Sequence, residues 1–80
     1  MDALFFVGNM RPVFAQGNER SVQLLLQLRK EALKDQEPRV AQRFHAVALS
    51  IECQTTRQIA QSLKVHRSSI PLWIEHWNQH

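Results

Sequence analysis

Apolar positions along this chain fall into three helical stripes separated by polar breaks. In the first, Val22, Leu25, Leu26, Leu28 and Leu33 recur at spacings that place them on one side of a helix from Glu19 to about Lys34, with Leu24 widening the stripe. So wide an apolar face predicts a packing partner. The second stripe is Val40, Phe44, Val47 and Ile51, with Ala41 and Ala48 on the same face. It predicts a helix from Arg39 to about Ile51, with Pro38 suited to its first turn. The outer side of that helix then holds Arg39, Gln42, Arg43 and Ser50. The third stripe, within Thr55 to Asn78, folds over on itself: Ile59, Ala60 and Leu63, then Val65 in a corner, then Ile70 and Trp73. This pattern predicts two helices that cross at Ala60, where a small side chain permits close approach.

Local signals mark where these helices begin. Asn18 is a candidate N-cap, with Glu19 placed to complement the positive helix end. Thr55-Thr56-Arg57-Gln58 fits a capping box, which starts the third helix at about Thr56. Lys34-Asp35-Gln36-Glu37 and Glu52-Cys53-Gln54 read as polar connections. Ahead of Asn18, the sticky run Leu4-Phe5-Phe6-Val7 and the breaks at Gly8-Asn9 and Gly17 do not continue any stripe. Residues 1–17 are therefore expected to form an extended or disordered arm, and residues 18–80 a single helical domain. The expected class is all-α, a small helical bundle of a three-helix unit plus an N-terminal helix.

Composition narrows the functions. A chain of 80 residues makes one small domain, burying about 60% of its unfolded surface and leaving no room for a large substrate cavity. Its 44% hydrophobic content argues for a folded chain. The net charge of +3 is unevenly spread. Residues 1–37 hold five basic and five acidic side chains, whereas residues 38–80 hold five basic and two acidic. The excess thus surrounds the folded-over stripe, as a polyanionic partner would require and as a solvated surface would also allow. Cys53 is the one cysteine, so no intrachain disulfide forms. No apolar run approaches membrane-spanning length, and Leu4 to Val7 is too short for a signal-peptide core, so a cytoplasmic protein is expected.

The inventory for catalysis is poor. The aspartates are Asp2 and Asp35, far from other chemistry, and no Gly-rich phosphate loop, nucleophile elbow or Cys-His metal spacing occurs. His76 and His80 are four apart but lack a third ligand. The expectation is a non-enzyme with no metal, no cofactor and no small-molecule substrate.

The cap and the positions Ile59, Ala60, Leu63, Val65, Ile70 and Trp73 resemble the helix-turn-helix, whose second helix enters the DNA major groove. The resemblance widens to residues 10–80. Arg39-Val40-Ala41-Gln42-Arg43, Ile59-Ala60 and Val65-His66-Arg67-Ser68-Ser69, followed by a Trp-containing helix, look like the homeodomain-like N-terminal region of mariner-related, DDE-type insertion-sequence transposases. That family implies binding to the terminal inverted repeats of its element, with chemistry in a separate catalytic domain. The chain departs from the family where Cys53 and Lys64 replace the usual glycines. It departs again where Pro71, Leu72, Glu75 and His76 occupy a helix that the family often makes basic. Pro71 in particular is expected to remove a helical hydrogen-bond donor one turn in.

On this resemblance the partner is double-stranded DNA, bound through the helix at about 67–78. Arg67 is the candidate for a base edge, because a guanidinium pairs bidentately with guanine O6 and N7. Ser68 suits a base or a phosphate, and Leu72 a thymine methyl. His66 would cap the recognition helix or lie near a phosphate. Thr55, Thr56 and Arg57 at a helix N-terminus suit phosphate contacts, and Arg39, Arg43 and Lys64 would add charge. Two alternatives stay open: an interaction module that associates through Leu72, Trp77, Phe5 and Phe6, and an inactive transposase remnant. A homodimer through the leucine-rich helix is a further alternative, although a coiled coil needs more heptads than fit here.

Overall fold

The computed structural model describes residues 14–79, which form four α-helices: α1 (Glu19–Lys34), α2 (Pro38–Ile51), α3 (Thr56–Leu63) and α4 (Ser69–Gln79). The fold is all-α, as expected. Each helix start is written locally. Asn18 Oδ1 accepts from the Ser21 backbone N–H at 3.1 Å, while Ser21 Oγ accepts from the Asn18 N–H. Thr55 Oγ1 accepts from the Gln58 N–H and Gln58 Oε1 from the Thr55 N–H, the reciprocal box read from the sequence. Pro38 is the first residue of α2, where a missing N–H costs nothing.

The helix ends are less ordinary. Gln36, Cys53 and Lys64 all have positive φ, at 61°, 69° and 56°. Each closes a helix in the left-handed conformation that glycine adopts without a steric cost. After α1, the Glu37 N–H reaches Ala32 O at 2.8 Å and the Gln36 N–H reaches Leu33 O; after α2, the Gln54 and Cys53 N–H groups reach Leu49 O and Ser50 O. These paired bonds satisfy carbonyls that a helix end leaves open.

α2 is the central element, packed by α1, α3 and α4. Ala46, Val47, Ala48 and Ser50 are all buried, so its C-terminal half has no outer side. This corrects the expectation for Ser50, which is 0% exposed rather than facing solvent. Its Oγ accepts from the Ala15 N–H at 2.7 Å. Gln42 is likewise half-buried, its Nε2 donating to Leu63 O at 3.5 Å. Ala60 packs against the core from its edge. Ile59 is fully buried in the core with Leu25, Ile70 and Ile74, whereas Ala60 is half-buried on a surface groove with Gln61 and Val65.

The leucine-rich α1 packs along α2 and buries only Leu25 and Ala32. Leu24, Leu26 and Leu33 remain 53%, 42% and 47% exposed, so the wide stripe is covered along its centre and not on its flanks. The expected arm lies mostly outside the described residues, as do Leu4, Phe5 and Phe6. Its last residues, Phe14 to Gly17, run without helix against the bundle, with Ala15 buried. The Gln16 N–H donates to Asn78 Oδ1 at 2.8 Å, Asn78 Nδ2 donates to Phe14 O, and Trp77 Nε1 donates to Gln16 O at 2.7 Å. At Gly17 a Cβ would stand 2.9 Å from Ile51 Cδ1 and from Ser21, so only glycine fits this approach.

Candidate nucleic-acid interface

The chain enters α4 through a turn organised by His66. Nδ1 of His66 accepts from the Ser68 backbone N–H at 3.2 Å, which makes Nδ1 a lone-pair atom, and the Ser68 hydroxyl donates to it at 2.6 Å. The Ser69 N–H then donates to His66 O and the Ile70 N–H to Arg67 O, starting the helix. The imidazole therefore braces the turn ahead of α4 and leaves Nε2–H as a donor. Lys64, left-handed and exposed, closes α3 just before; the Val65 N–H returns to Ala60 O at 3.2 Å. The corner between α3 and α4 is thus set by backbone bonds on both sides.

This geometry brings Thr55, Thr56 and Arg57, at the N-terminal end of α3, into one open groove with His66, Arg67, Ser68 and Pro71. Six of the ten expected site residues meet there. Neither Arg57 nor Arg67 has an ion-pair partner among the described residues, so both guanidinium groups are available to an anion. The positive dipole end of α3 adds to them. The remaining four stand elsewhere. Arg43 borders an apolar cleft of about 460 Å³ between α2 and α4 with Phe44, Trp73 and His76. Arg39 is exposed on the first turn of α2, Lys64 lies at the corner, and Leu72 projects from α4 with 65% of its surface exposed.

Pro71 proves harmless. It is the third residue of α4, where a backbone N–H has no partner four residues back, so no helical bond is lost. On the opposite face, Ile70 and Ile74 are buried and Trp73 and Trp77 pack half-buried against the core. They are not stacking platforms. The residue missed by sequence reasoning is Pro71 as part of the groove wall. The one signal for it was its place directly after Ser68-Ser69-Ile70, which puts it on the first turn.

A comparison with protein families now decides the class, since residues 37–80 match the homeodomain-like domain. The chain belongs to this family. The homeodomain-like match covers α2, α3 and α4, the last two being the helix-turn-helix pair, and suggests DNA binding. No curated protein and no solved structure matches the chain. Among the described residues, no helix is long and apolar enough to cross a membrane, and no group of three His, Cys, Asp or Glu could hold a metal ion.

His45 is a titrating group with a perturbed environment. Burial pushes its imidazole below the ordinary histidine value, the nearby Arg29 charge pushes the same way, and Glu52 opposes both. It lies with Gln42 and Leu63 on the far side of α2 from Arg43 and Phe44, away from the groove.

Proposed function

We propose that this homeodomain-like domain binds duplex DNA as the recognition part of a transposase-like protein, related to the mariner and DDE insertion-sequence enzymes, with terminal inverted repeats as its natural sites. The observation that carries the reading is the single groove shared by Thr55, Thr56 and Arg57 of α3 and His66, Arg67 and Ser68 of the turn into α4. In that arrangement α4 enters the major groove from its N-terminal end. Thr55, Thr56, Arg57 and the His66 Nε2–H hold phosphates, Arg67 reaches a guanine edge, and Ser68 contacts a base or a phosphate. Leu72 covers a thymine methyl, and Arg39, Arg43 and Lys64 contribute charge. The chain supplies recognition and leaves the chemistry to another domain.

A fluorescence-anisotropy titration with a random duplex at two salt concentrations tests this. Micromolar binding that weakens steeply with salt is expected, with a log-log slope of about −0.9 for each phosphate engaged. No binding at low salt would overturn the reading. It would then favour an interaction module, for which the 65% exposure of Leu72 is the specific support.

A further inference from the structure

The outward stripe of α4 carries chemistry that the groove around Arg57 and Arg67 does not use. Leu72, Glu75 and Gln79 are all exposed and spaced three and four apart, which makes them neighbours on one face. Ile70 and Ile74 lie buried on the other. Gln79 Nε2 donates to Glu75 Oε1 at 3.5 Å, so the carboxylate lies along the stripe. α4 contains no lysine or arginine. A carboxylate beside phosphates is repelled, and against base edges it is selective.

An ionised carboxylate only accepts hydrogen bonds. In the major groove guanine offers O6 and N7 and thymine offers O4, all acceptors, whereas cytosine offers its N4 amino group and adenine its N6 amino group. Adenine flanks its donor with the N7 lone pair, which faces the carboxylate unfavourably. Cytosine carries no acceptor on its own major-groove edge beside the amino group and is the better partner.

We propose that Glu75 is a specificity-determining residue of α4 that selects cytosine by accepting from its N4 amino group in the major groove. The inference rests on the reading of α4 as the DNA-recognition helix. Leu72 and Glu75 are separated by a rise of about 4.5 Å, against about 3.4 Å per base pair. The selected cytosine therefore lies one or two base pairs from the base that Leu72 covers.

The experiment is selection from a randomised duplex library with the 80-residue chain, with Glu75→Gln and with Arg67→Ala, followed by anisotropy titration of the enriched sites. The wild-type chain should enrich cytosine at one position, and replacing that C·G pair by T·A should weaken binding on the order of tenfold. Glu75→Gln should move the preference there from cytosine to adenine, because an amide pairs with adenine N6 and N7. Arg67→Ala should lower affinity and keep the cytosine. An unchanged base preference in Glu75→Gln, with tighter binding to every duplex, would overturn the proposal by making the carboxylate a repulsive charge only. A wild-type chain that binds duplex DNA but enriches no cytosine overturns it as well. A wild-type chain that binds no duplex at all defeats the DNA reading itself, which the titration registers separately.

Discussion

Arg67 occupies the turn ahead of Ser69, next to a histidine whose hydrogen bonds fix the backbone on either side of it. The backbone at Arg67 is thus fixed, while its exposed side chain keeps its rotamer freedom. Arg67→Ala is expected to weaken binding to a selected site by about 1–3 kcal/mol and binding to random duplex by less. Parallel titrations of both duplexes check this, and equal losses would identify a phosphate contact. His45 allows a prediction about pH. Its folded-state value is lowered, so between that value and the ordinary 6.5 the unfolded chain binds the extra proton. The stability tied to neutral His45 is therefore complete above pH 6.5 and lost as pH falls through the window below it. Thermal melts from pH 7.5 to 5 should show a steeper decline for the wild-type chain than for His45→Gln.

Among the helices, the starts and the ends at Lys34 and Ile51 were legible, but the conformation that closes each end was not. The cap at Asn18, the box at Thr55-Gln58 and the proline at α2 act within four residues, so the sequence alone displays them, whereas the Ser21 half of the Asn18 box came only with the structure. Left-handed closures by Gln36, Cys53 and Lys64 carry no such mark, because none is a glycine; for Cys53 and Lys64 the family resemblance supplied the hint. Gln36→Gly, Cys53→Gly and Lys64→Gly should each stabilise the fold by about 1 kcal/mol, measured by denaturant titration. The three should add, since they sit at different helix ends. Lys64→Gly also removes a cation, so it should lower DNA affinity slightly while raising stability. Burial on α2 escaped its 3.6-residue pattern for another reason: with neighbours on three sides the helix has almost no solvent face, and periodicity reports only helices that do.

In the whole molecule, the links that the sequence hid span long separations. The Ala15 N–H to Ser50 Oγ bond joins residues 35 apart, and the bonds from Asn78 and Trp77 to Phe14 and Gln16 join residues 61 to 64 apart. No spacing rule reaches so far. Ser50→Ala leaves a buried backbone donor unpaired and should cost about 1–3 kcal/mol in a chemical melt. Ile59→Ala should cost about 2–5 kcal/mol by opening a cavity where α3 meets the core. The candidate site was more legible than the core, because Thr55 to Arg57 and His66 to Ser68 flank one short helix and a helical corner brings its two ends to the same side. Arg43 stands apart from that groove because its position on α2 sets it beside the cleft lined by Trp73 and His76.

The bonds between α4 and the segment before α1 also bear on where this domain can be cut and transplanted. The stretch that matches the homeodomain-like family starts at residue 37, yet the far end of α4 is fastened by Phe14 and Gln16, and the central helix by Ala15. The inherited module and the mechanical one thus differ in length. A graft that carried only residues 37–80 into a new host would arrive with Ser50 and Trp77 stripped of their partners. A graft beginning at residue 14 would bring its own clasp.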